Sequence, residues 1–152
     1  MTEKKIFIFI ILFMIEIIKA QTFILDTEQT ESIIELGTFV ALSGTIQNIS
    51  DDSLQLAVIR TELSLPQDWN TQLCFGGICF PPDFDSLATT SPDAPFYQGP
   101  IPPDSSIYFA VWFTAFSEYE GTATATIKLY DLNNPSYVLF QDYMASTDNF
   151  IL

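Results

Sequence analysis

The stretch Thr122-Ala123-Thr124-Ala125-Thr126-Ile127-Lys128-Leu129-Tyr130 alternates apolar with polar side chains. Successive side chains of a strand point to opposite faces, so Ala123, Ala125, Ile127 and Leu129 form a dry face and Thr122, Thr124, Thr126 and Lys128 a wet one. That is the pattern of an antiparallel sheet lying on a core. Outward from it, Ser106–Thr114, Tyr137–Tyr143, Phe39–Asn48 and Leu54–Leu63 are also rich in β-branched and aromatic residues. Thr22–Leu25 and Ile33–Leu36 read as one broken first strand, and Ile49-Ser50-Asp51-Asp52 and Asn133-Asn134-Pro135 as turns. In Leu54–Leu63 the dry face is Leu54, Leu56 and Val58, with Arg60 and Glu62 continuing it toward a wet end, and Pro66 stops the strand. Trp112, in mid-strand between Val111 and Phe113, is expected in the core. No helical stripe of useful length follows the N-terminal region, and about seven strands is the count of a sandwich.

The first twenty residues have the three parts of a secretory signal: Lys4 and Lys5, an apolar run from Ile6 to Ile15, and Ile18-Lys19-Ala20 before Gln21, with cleavage expected after Ala20. Glu16 and Lys19 keep the run short of the ~20 apolar residues that span a bilayer, so no stable membrane anchor is expected after cleavage. Residues 21–152 are then the sandwich domain. Its only cations are Arg60 and Lys128 against 17 acids, a net charge of −15. Such a balance argues against nucleic acid and anionic membrane surfaces, which are bound through Lys and Arg. With no His in the chain, Ser-His-Asp and Cys-His catalysis and imidazole metal sites are excluded.

Between residues 66 and 103 the character changes, since most of the prolines and both cysteines lie there, and a long structured excursion is expected. Within it, Leu73-Cys74-Phe75-Gly76-Gly77-Ile78-Cys79-Phe80 reads as a hairpin, because Gly-Gly supplies both positive-φ positions of a two-residue turn. Phe75 and Ile78 then close the turn. Cys74 and Cys79 face each other as the next, non-hydrogen-bonded pair, in reach of a disulfide that a secreted chain would form. A redox pair normally has two intervening residues at a helix N-terminus, and two thiolates alone do not close a zinc site.

Taken in order, Gly44-Thr45-Ile46-Gln47-Asn48-Ile49-Ser50-Asp51, Leu65-Pro66-Gln67-Asp68-Trp69, Cys74-Phe75-Gly76-Gly77-Ile78-Cys79-Phe80-Pro81-Pro82 and Gly121-Thr122-Ala123 resemble the immunoglobulin-like modules of secreted bacterial surface and adhesion-type proteins. The resemblance covers about residues 22 to 145. It implies a single immunoglobulin-like antiparallel β-sandwich of about seven strands, with an adhesion, spacer or binding role and no active site.

Several residues are candidates for chemistry. Glu118 and Glu120 lie two apart and would share a face of an extended segment, which invites a glycosidase acid and base, but they read better as the flanks of a solvated turn. Trp69, Phe96 and Tyr97 are candidate ligand or partner contacts, Trp69 because it stands at a loop entrance, and with Trp112 and Tyr119 they would suit a sugar-stacking platform. Asp51-Asp52 and Asp83-Phe84-Asp85 are weak calcium candidates that do not fit a twelve-residue calcium loop, and no other cofactor is implied. Asn48-Ile49-Ser50 matches an N-glycosylation sequon. Thr22-Phe23-Ile24-Leu25 is either the protein's own first strand or a donor strand for a neighbouring molecule. The expectation is a secreted, non-enzymatic module that contacts a protein partner or copies of itself outside the cell, with carbohydrate- or calcium-dependent binding as the alternative.

Overall fold

The computed structural model describes residues 21–89 and 99–148. The twenty residues read as a secretory signal and the pair Phe96 and Tyr97 lie outside them. Among the described residues there is no helix, and ten strands follow in order: β1 (Phe23–Thr27), β2 (Glu31–Ile33), β3 (Phe39–Asn48), β4 (Leu56–Ser64), β5 (Asn70–Phe75), β6 (Ile78–Cys79), β7 (Ser86–Ala88), β8 (Ser106–Thr114), β9 (Thr122–Asp131) and β10 (Val138–Ser146). They form two five-stranded sheets. Sheet A has the order β1-β3-β8-β5-β6 and sheet B the order β2-β10-β9-β4-β7. The runs β1-β3-β8-β5 and β10-β9-β4 reproduce the ABED and GFC sheets of an immunoglobulin-like sandwich.

Seven of the strands have five or more residues, matching the number expected, but they are not the same seven. The excursion at 66–103 contributes β5, β6 and β7, and β5 pairs along its whole length with β8. The broken first strand belongs to two sheets. β1 pairs antiparallel with β3, whereas β2 pairs parallel with β10. The change of sheet falls at Gln29: Glu28 N–H still donates to Ser43 O of sheet A, and Thr30 O already accepts from Met144 N–H of sheet B. Thr22–Leu25 is thus seated against β3 of the protein's own sheet, the first of the two places expected for it.

Phe23, Leu42, Ile46, Leu73, Phe109, Val111 and Phe113 from sheet A meet Leu56, Val58, Ile127, Leu129, Tyr143 and Ala145 from sheet B in one buried cluster. The dry face read from Thr122–Tyr130 is the inner face of β9, since Ala123, Ala125, Ile127 and Leu129 are all buried. Trp112 is a correction: Phe109, Val111 and Phe113 point inward, so Trp112 stands on the outer face of sheet A. The opposite change befell Trp69, whose indole is buried and donates Nε1–H to Tyr119 O at 2.8 Å. Its turn is folded back by a Trp69 N–H bond to Pro66 O and by Asp68 at φ 61°.

Arg60 is the second correction. It shares the inner face of β4 with Leu56 and Val58 and is buried there, whereas a bulge between Arg60 and Glu62 shifts the register and sends Glu62 to solvent. Its guanidinium donates Nε–H to Asp85 Oδ1 at 2.6 Å, Nη2–H to Pro82 O at 2.6 Å and Nη1–H to Thr71 O at 3.3 Å. A buried charge requires such partners. One side chain of sheet B thereby fastens β5 of sheet A and the segment that leads to β7.

Candidate interaction surface

Sheet A owes its outer face to three strands with no charged residue at all: β3, β5 and β8 contain no Asp, Glu, Lys or Arg. In the strands of this sheet Asp26 on β1 is the one charge, while β2, β4, β9 and β10 of sheet B carry Glu31, Arg60, Glu62, Lys128, Asp131 and Asp142. In a chain with 19 acids these three adjacent strands present a face of uncharged polar and aromatic side chains. Phe39 is 54% exposed and Tyr108 41% exposed. Phe39 stacks on Trp112 with ring centroids 4.8 Å apart and planes 6° from parallel. The Trp112 Nε1–H beneath it is buried and has no protein acceptor.

Strand register sets the neighbours of these rings. Phe39 lies opposite Thr114, Trp112 between Ala41 and Gln72, and Tyr108 opposite Thr45. Ser43, Ala110 and Cys74 form the next row across the three strands. The floor between the rings is therefore small, with Ala41 and Ala110, and each ring has an uncharged hydrogen-bonding side chain beside it.

The rim of this face is the cysteine hairpin. Gly76 and Gly77 have φ of 61° and 83°, as the two-residue turn requires, and Phe75 pairs with Ile78 and Cys74 with Cys79. Cys74 and Cys79 are joined by a disulfide with their Cα atoms 3.9 Å apart. Gly76 N–H donates to Tyr108 O at 2.9 Å, which ties the turn to β8.

The remaining candidates are scattered. Glu118 and Glu120 are exposed in the segment between β8 and β9. Asp85 is held by Arg60 and Asp51, Asp52 and Asp83 are exposed; among the described residues no three acidic, Cys or His side chains come together to hold a metal. Asn48 is buried at the end of β3, and its amide is fully used: Nδ2 donates to Asp52 O at 2.8 Å and Ile101 O at 2.9 Å, while Oδ1 accepts from Ser50 N–H and Oγ–H. A glycan on that buried nitrogen would remove one of these bonds. The sequon residue is a structural lock on the β3–β4 turn. A shallow groove of about 310 Å³ lies on the other side of the sandwich, lined by Thr30, Glu31, Thr124, Thr126, Asp142 and Met144 among others. There Thr126 Oγ1–H already donates to Asp142 Oδ1 at 2.7 Å. Among the described residues no helix is long and apolar enough to cross a membrane.

No family model matches the sequence, and no curated protein matches it. Solved structures do resemble the fold. The N-terminal domain of PorA aligns with a TM-score of 0.56 at 12% identity over 84% of this chain and 99% of that one. A family 123 glycoside hydrolase from Clostridium perfringens aligns with a TM-score of 0.53 at 8% identity over 86% of this chain, which spans 28% of the hydrolase chain. At such identities the likeness is one of fold: an immunoglobulin-like sandwich, carrying no chemistry across.

Proposed function

We propose that this chain is a secreted, non-enzymatic β-sandwich module that works by surface contact, and that the outer face of sheet A is its contact surface. The observation that carries the reading is the charge-free, aromatic face of β3, β5 and β8 on a strongly acidic molecule. Exposed apolar patches of this kind mark interaction sites, and carboxylates elsewhere keep such a molecule from associating at random. Secretion is supported by the twenty-residue leader and by the Cys74–Cys79 disulfide, a bond that persists in oxidising compartments. The absence of His and the solvated setting of Glu118 and Glu120 support a role without catalysis. The resemblance to secreted surface modules points the same way.

The test is retention of the labelled full-length mature protein on the extracellular material of its own source culture. Wild type is expected to be retained, and the Phe39→Ser, Tyr108→Ser double variant to wash off. Equal retention of the two, with both folded by circular dichroism, overturns the assignment of the face.

A further inference from the structure

Resting on that reading of the face, we propose that its ligand is a neutral polysaccharide, laid across β3, β8 and β5 with its sugar rings on Phe39 and Tyr108. Three observations select this occupant. The first is charge: β3, β5 and β8 offer no cation to an acidic glycan, and the 19 acids of the chain repel one at distance. An uncharged chain meets neither obstacle.

The second is the alternation of rings and hydrogen-bonding groups. Phe39 beside Thr114 and Tyr108 beside Thr45 suit what a sugar presents, a flat C–H face and a rim of hydroxyls, while Trp112 backs Phe39 and the Gln72 amide beside it donates to Phe80 O. The electron-rich face of an aromatic ring attracts C–H groups that carry partial positive charge. Amides and hydroxyls at its side can donate to and accept from sugar hydroxyls. A protein partner is better served by anchors that fill pockets and exclude water from the centre of the contact.

The third is shape. Tyr108 and Trp112 are four residues apart on β8, a separation of about 13 Å along the strand, with the Ala110 and Ala41 floor between. Ala110 itself is buried and Ala41 and Ser43 are half-buried, so these positions of β3 and β8 raise no large side chain between the rings and leave a low surface for a chain molecule. Phe39, stacked over the Trp112 indole, fixes one end of that surface as a rigid plate.

Native affinity electrophoresis of the mature protein through gels containing soluble β-glucan, xyloglucan, glucomannan or heparin tests the proposal, with titration calorimetry against cellohexaose, laminarihexaose and mannohexaose. At least one neutral polysaccharide is expected to retard the protein, heparin is not, and the retardation should persist in about 1 M NaCl, where charges are screened beyond ~3 Å. The Phe39→Ala, Tyr108→Ala double variant should lose about tenfold or more in affinity, and Phe140→Ala, on the opposite face of the sandwich, should lose nothing. No retardation by any neutral polysaccharide, or retardation that survives the double variant, overturns the proposal. If sugars fail but light scattering shows self-association that the double variant abolishes, the occupant is a second copy: the glycan is wrong and the contact face stands.

Discussion

Two tryptophans exchanged the places that their positions in the chain suggest, and the reason is physical. Ala110-Val111-Trp112-Phe113 is apolar on both faces of β8, so alternation within it does not say which parity is inward. The parity was legible further out: Ser106 and Thr114 share a face with Trp112, and polar strand ends belong to the solvent side. Trp112 thus leans on Phe39, not on the core, and Trp112→Ala is expected to cost about 1 to 2 kcal/mol, whereas Trp69→Ala, which empties a core site and orphans Tyr119 O, should cost about 3 to 5 kcal/mol. Chemical denaturation of the two variants checks the order. Arg60 was unreadable for a different reason, since nothing in Leu54–Leu63 announces the bulge after it. Arg60→Ala is expected to cost about 3 kcal/mol, because three acceptors lose a buried donor at once.

Asn48 and Tyr143 yield sharper outcomes at this scale. With Asn48 Nδ2 bound to two carbonyls, protein secreted from a glycosylating host should carry an unmodified Asn48, and its mass should not change on treatment with an N-glycosidase. A glycopeptide spanning Asn48 would contradict the buried amide. The Tyr143 hydroxyl lies in the core without a protein partner, and burial pushes its pKa well above the ordinary 10.0. An unfolded chain ionises this phenol near pH 10 and the folded one does not, so its contribution to stability is intact below that pH and is lost as the pH rises above it. Tyr143→Phe removes an unsatisfied buried hydroxyl and should raise stability by about 1 kcal/mol at neutral pH and more above pH 10, read from urea melts.

At the scale of elements, most strands were legible because their wet and dry residues alternate, as Phe39–Asn48 and Thr122–Tyr130 show. The split of the first strand was not. Three-residue β2 has no room for a pattern, and its parallel pairing with Met144–Ser146 is set by the far end of the chain. Gly44 holds β1 to β3: a Cβ there would lie 2.5 Å from Asp26 O, so Gly44→Ala should push β1 off the sheet and destabilise by about 2 kcal/mol or more, with hydrogen exchange fastest at Phe23–Thr27. The cysteine hairpin was readable down to its register, since Gly-Gly permits few turns. Its disulfide closes a short loop, worth about 2 kcal/mol by chain entropy. Reduction should therefore loosen β6 and the rim beside Tyr108 while the remainder of the sandwich stays folded, a result that proton NMR of reduced protein would display.

For the whole molecule, charge distribution links the fold to its use. Counting acids reveals a strongly acidic domain, but the separation of charge between sheets appears only when β5 is placed beside β8, because its sequence lies within a proline-rich stretch that looks like a loop. The face proposed for contact was hidden for the same reason: Trp69 drew attention as the accessible tryptophan, and Phe39 stood at a strand end with no signal of its own. Hydroxyl-radical footprinting of the mature protein, free and in the presence of the extracellular material of its source, tests the assignment of that face most directly. Protection is predicted at Phe39, Tyr108 and Trp112, with Tyr119 and Phe140 unchanged. Protection at Phe140 and Met144 with Phe39 and Tyr108 still reactive would move the contact to sheet B and contradict the account.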